Sequence, residues 1–81
     1  MLKIKDNVDL KELEKFGFKY DSYFRDREGN DCLAYCFLTV SPCDRTIEIS
    51  SGADTINSDY EIEKLFDLIQ AGLVEKVKEE D

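Results

Sequence analysis

The residues best suited to chemistry are three cysteines, Cys32, Cys36 and Cys43, in an 81-residue chain with no histidine. Their C-x3-C-x6-C spacing offers no fourth thiolate and matches no compact zinc set. Without histidine the chain lacks the commonest general base at neutral pH, the usual partner of a nucleophilic serine or cysteine, and the commonest metal ligand. Cys32 and Cys36, placed on one strand, would stand about 13 Å apart, beyond disulfide reach. An odd thiol count fits a reducing compartment, where such thiols serve as small hydrophobes. Cys43 falls in a turn and is the thiol most open to reaction, with Asp44 and Arg45 pulling its pKa in opposite directions.

Oxygen chemistry fares no better. Asp54-Thr55-Ile56-Asn57-Ser58-Asp59 alternates oxygen ligands but lacks the glycine and closing glutamate of a calcium loop. No phosphate loop or dinucleotide fingerprint is present. The many carboxylates would need a cleft that separates their pKa values, and one small core leaves little room for it. The chain is therefore read as non-enzymatic, with no catalytic residue, no cofactor and no metal.

The carboxylates matter more as a field. The net charge is −8. Residues 1–28 are balanced, whereas residues 44–67 carry seven acids against Arg45 and Lys64. Asp54, Asp59, Glu61, Glu63 and Asp67 dominate that excess. Such a patch steers a basic partner surface and repels DNA and RNA. Direct nucleic-acid binding is thereby excluded. The longest apolar stretch, Leu33 to Val40, is too short for a membrane-spanning helix, and Met1–Asp6 contains no apolar leader run. A cytoplasmic protein is expected.

The elements that position these groups follow from capping and periodicity. One domain, residues 1–81, is expected from the length. Asp9 caps a short helix over residues 10–16, and Gly17 stops it. Phe18 to Arg25 alternates as a strand, with Phe18, Tyr20, Ser22 and Phe24 on one face and Lys19, Asp21, Tyr23 and Arg25 on the other. Glu28-Gly29-Asn30 turns the chain into a second strand, Cys32 to Val40. This strand is apolar on both faces, as a central strand covered from each side would be. Pro42 leads the next turn into a third strand over Arg45 to Ser51, with Ile47 and Ile49 inward. Ser58-Asp59-Tyr60-Glu61 has the form of a capping box, and Ile62, Leu65, Phe66, Ile69 and Leu73 follow as an apolar stripe. Gly72 ends that helix, and Leu73 to Val77 is a candidate fourth short strand. The expected fold is α+β, a three-stranded antiparallel meander packed against a short N-terminal helix and a longer C-terminal helix.

Two helices cover only one face of such a sheet. The other face is then bare, with Tyr23, Leu33, Tyr35 and Phe37 as an aromatic patch for a partner or for self-association, or else it is closed by Leu2 and Ile4. Tyr23 and Tyr35 are the expected anchors, and Asp54, Asp59, Glu61, Glu63 and Asp67 the charged contacts.

Residues 3–18 (KIKDNVDLKELEKFGF) and 65–77 (LFDLIQAGLVEKV) resemble small uncharacterised phage and prophage proteins of Gram-positive bacteria. The two stretches cover a little over a third of the chain. The resemblance implies no activity and no catalytic residue. It implies a protein that binds host machinery, as an acidic inhibitor or as a mimic presenting carboxylates in place of phosphates. The alternatives are a small-molecule-binding protein, with Cys36 or Tyr35 lining a pocket, and a structural homo-oligomeric subunit.

Overall fold

A computed structural model describes residues 1–49 and 58–77 of the chain, apart from the side chains of Ser58 and Asp59. Six strands form one antiparallel sheet: β1 (Leu2–Ile4), β2 (Lys19–Arg25), β3 (Asp31–Tyr35), β4 (Leu38–Val40), β5 (Thr46–Ile49) and β6 (Val74–Lys76). Their order across the sheet is β2-β3-β4-β5-β1-β6. A 3-10 helix (Leu10–Phe16) and a single α-helix, α1 (Ser58–Gln70), complete the described elements. The expected three-stranded meander packed against a short N-terminal and a longer C-terminal helix is thus corrected: among the described residues the sheet has six strands, and the N-terminal helix is 3-10, leaving one α-helix. Among the described residues no helix is long and apolar enough to cross a membrane.

The largest correction has a simple cause. Residues 32–40 read as one strand apolar on both faces, but the chain turns back at Cys36-Phe37. Leu33 pairs with Val40 and Tyr35 with Leu38, leaving a two-residue hairpin loop. Cross-strand partners share a face, so Leu33, Tyr35, Leu38 and Val40 all point the same way. A two-residue loop changes the parity of alternation, which makes a one-sided hairpin look like a two-sided strand. Cys36 takes a φ of 53° there, a left-handed position usually left to glycine.

The opposite face is accordingly not a bare aromatic surface. It carries Lys19, Asp21, Cys32, Ala34, Thr39, Thr46, Glu48, Lys3 and Glu75, by register. Nor does Leu2–Ile4 fold over it, since β1 lies inside the sheet between β5 and β6.

The core sits between the covered face and the helices. Ile4, Leu13, Phe18, Leu33, Leu38, Val40, Ile47 and Leu68 are buried together. The first helix has the boundaries that capping implies, with Asp9 accepting from the Lys11 N–H and Gly17 at φ 95°. It winds as a 3-10 helix, and its apolar residues Leu10, Leu13 and Phe16 recur every three positions, the 3-10 repeat.

Both helices stop by the same device. The Phe18 N–H donates to Leu13 O and the Gly17 N–H to Glu14 O. The Leu73 N–H likewise donates to Leu68 O and the Gly72 N–H to Ile69 O. This is the Schellman arrangement, in which the residue after the glycine packs on the residue five before it. Each stop feeds a strand directly, β2 and β6 respectively.

Candidate functional site

Helix α1 offers two neighbouring rows at i, i+4 and i+7. One is Glu61, Leu65 and Leu68, and the other is Ile62, Phe66 and Ile69. Periodicity alone would bury the second, wholly apolar row. The structure buries the first. Leu68 is fully buried and Leu65 packs on the core, whereas Ile62, Phe66 and Ile69 are 50%, 57% and 47% exposed. The stop at Gly72 explains the rotation. The Leu73 N–H is bonded to Leu68 O, and Leu73 packs on the core and leads into β6, which pairs with β1, so the Leu68 row is drawn inward.

Glu61 is only 3% exposed. Its Oε2 accepts a hydrogen bond from the Phe37 N–H at 3.2 Å, tying α1 to the tip of the β3–β4 hairpin. Oε1 is also buried and has no partner among the described residues. Glu61 is therefore removed from the expected acidic surface, because it points into the fold. The capping-box reading involved Ser58, whose side chain is outside the described residues.

Of the other expected charged contacts, Glu63 and Asp67 are exposed on α1. They stand four apart, beside the Ile62-Phe66-Ile69 row. Asp59 lies in α1 with its side chain outside the described residues, and Asp54 lies outside them altogether. Lys64 is taken up internally, its Nζ 4.7 Å from the centre of the Tyr35 ring.

The expected aromatic anchors separate. Tyr35 is half-buried against Phe18, with ring centres 5.9 Å apart, and Gly17 lies close by it. Leu33 is fully buried. Tyr23, by contrast, is 82% exposed. It stands in an irregular stretch of β2, where register shifts between Asp21 and Arg25, so Ser22, Tyr23 and Phe24 have no partner in the β3 ladder. Asp21 Oδ1 holds the Tyr23 N–H at 2.9 Å. Tyr23 packs edge-on to Phe24 at 5.0 Å, and Phe24 to Phe37 at 6.4 Å. The patch is thus Tyr23, Phe24 and Phe37. Strict alternation hid it, because the bulge at Ser22–Phe24 and the turn at Cys36–Phe37 both break the period of two.

The thiols are placed differently from expectation. Cys36 is exposed at the hairpin tip, Cys32 is buried and Cys43 is half-buried. Burial pushes the thiols of Cys32 and Cys43 up, and Asp26 and Asp44 raise Cys43 further. Arg27 opposes that rise, whereas Arg45 is engaged elsewhere. Its guanidinium donates to the carbonyls of Lys5 and Val8, and clamps the segment after β1. Asp44 is held below the usual carboxylate range by the Thr46 hydroxyl and N–H, which it accepts at 2.7 and 3.0 Å. Among the described residues, no group of three or more cysteine, aspartate or glutamate side chains is arranged to hold a metal ion.

No family model, curated protein or solved structure matches this chain. The site has to be read from its own geometry. Its most prominent feature is the outer side of α1, where Tyr60, Ile62, Phe66 and Ile69 are exposed next to Glu63 and Asp67. The signal in the sequence was a surplus of apolar residues, Leu65 and Leu68 beside Ile62, Phe66 and Ile69, on a helix that can bury only one row against a sheet.

Proposed function

We propose that this chain is a non-enzymatic binding protein that docks on a basic surface of another protein, in the manner of a small phage-type inhibitor of a host protein. The carrying observation is the exposed row Ile62, Phe66 and Ile69 alongside Glu63 and Asp67. Contiguous exposed apolar side chains with a polar rim are the usual mark of a protein contact site. The adjoining acids add steering towards a positive partner. Exposed Tyr23 offers a second anchor, at some distance along the chain from the helix. The likeness of residues 3–18 and 65–77 to small phage proteins supports a host-directed, cytoplasmic role.

The test is a tagged pull-down from bacterial lysate, washed at low and high salt, with retained proteins identified by mass. The reading expects a basic protein that is lost at high salt and lost from the Glu63→Lys/Asp67→Lys variant. Retention of the same protein by that variant would contradict it. Glu61 is unsuitable for charge reversal, because a buried lysine there would disturb the fold.

A further inference from the structure

Resting on that reading, we infer that the outer row of α1 receives an amphipathic helix of the partner, apolar along one side and flanked by lysine or arginine. Three observations lead there. Ile62, Phe66 and Ile69 lie at i, i+4 and i+7, a straight ridge about 10 Å long at the rise of an α-helix. Ridges of that kind pack into the grooves of another helix, and anchors at this spacing typify helix-mediated recognition. The row's acidic flank, Glu63 and Asp67, enters none of the ion pairs among the described residues. Lys64, the only base in α1, is turned to Tyr35. Among the described residues, these two carboxylates thus form ion pairs with no cation of the helix.

That charge pattern chooses between occupants. A second copy packing antiparallel by two-fold symmetry would set Glu63 and Asp67 of one helix against the same residues of the other. Like charges across such a seam are destabilising. A base-flanked helix meets the same carboxylates with attraction. Strand addition is the weaker route, since both sheet edges are blunted. β2 is broken by its bulge, and β6 has only three residues.

The experiment uses a fluorescent synthetic helix with leucines along one side and lysines flanking them. A second peptide replaces those lysines with glutamate. Anisotropy titrations against the full chain should show binding of the lysine peptide that weakens with salt, and no comparable binding of the glutamate peptide. Phe66→Ala should weaken it about tenfold or more, as expected for a central anchor. Glu63→Lys/Asp67→Lys should reverse the preference between the peptides. Equal binding of both peptides, or unchanged binding by Phe66→Ala, overturns the inference. So does sedimentation showing a dimer that strengthens with salt and is lost in Phe66→Ala, which would give the row to a second copy. The lysate experiment separates the two levels. A basic protein retained there by Phe66→Ala but lost from Glu63→Lys/Asp67→Lys leaves the binding reading intact and refutes the helix contact. Failure of both experiments removes both.

Discussion

The two helices end alike but use their side chains differently. The 3-10 helix spends its apolar residues inward, with Leu13 in the core and Leu10 and Phe16 packed against it, while Lys11, Glu14 and Lys15 face solvent. Helix α1 keeps Leu65 and Leu68 for the core and exposes a second apolar row. A helix that only supports a sheet needs one such row. The surplus on α1 is therefore the part of the molecule that folding does not explain, and it is where a function is best sought.

The comparison makes unequal substitutions of equal kind. The largest contrast is expected between two glutamates two positions apart. Glu61→Lys should cost about 3–5 kcal/mol, because an ammonium cannot accept the Phe37 N–H and is left buried without a partner. Glu63→Lys should lie within about 0.5 kcal/mol of the parent, as exposed substitutions usually do. Urea unfolding of the two variants measures the difference.

Truncation on the two rows should diverge almost as far. Leu68→Ala is expected to cost about 2–5 kcal/mol through lost burial and a residual cavity. Phe66→Ala should stay within about 0.5 kcal/mol. Similar losses for both would mean that the outer row is structural after all.

The smallest contrast concerns the shared stops. Gly17 and Gly72 have φ of 95° and 77°, so alanine at either should cost roughly 1 kcal/mol. Gly17→Ala should cost more, since its new Cβ would lie 3.3 Å from two carbons of the Tyr35 ring. Among the described residues, nothing lies within 4 Å of the equivalent atom at Gly72. Melting temperatures of the two variants rank them.

Local punctuation was largely legible in the sequence. Asp9, Gly17 and Gly72 mark helix ends that the structure keeps, and Gly29 marks the β2–β3 hairpin. Long-range arrangement was not. The turn at Cys36-Phe37 contains neither glycine nor proline, so the strand-like span Cys32 to Val40 concealed a hairpin. Leu2–Ile4 is too short to declare itself a strand, and becomes one only by pairing with β5 and β6. Glu61 looked like surface charge because its partner is a backbone N–H 24 positions away. Five of the residues expected at the site could be placed. Tyr23, Glu63 and Asp67 are exposed, while Tyr35 and Glu61 serve the interior. The exposed row itself required knowing which way α1 is rotated, and that follows from the Leu73 N–H bond to Leu68 O and the entry of the chain into β6.

The most direct measurement is an NMR titration of the isotope-labelled chain with the lysine-flanked helical peptide. The account predicts the largest amide shifts along residues 62–69 of α1, with Tyr23 and Phe24 nearly unmoved. Shifts centred on Tyr23, Phe24 and Phe37, or none along α1 at saturation, would contradict it.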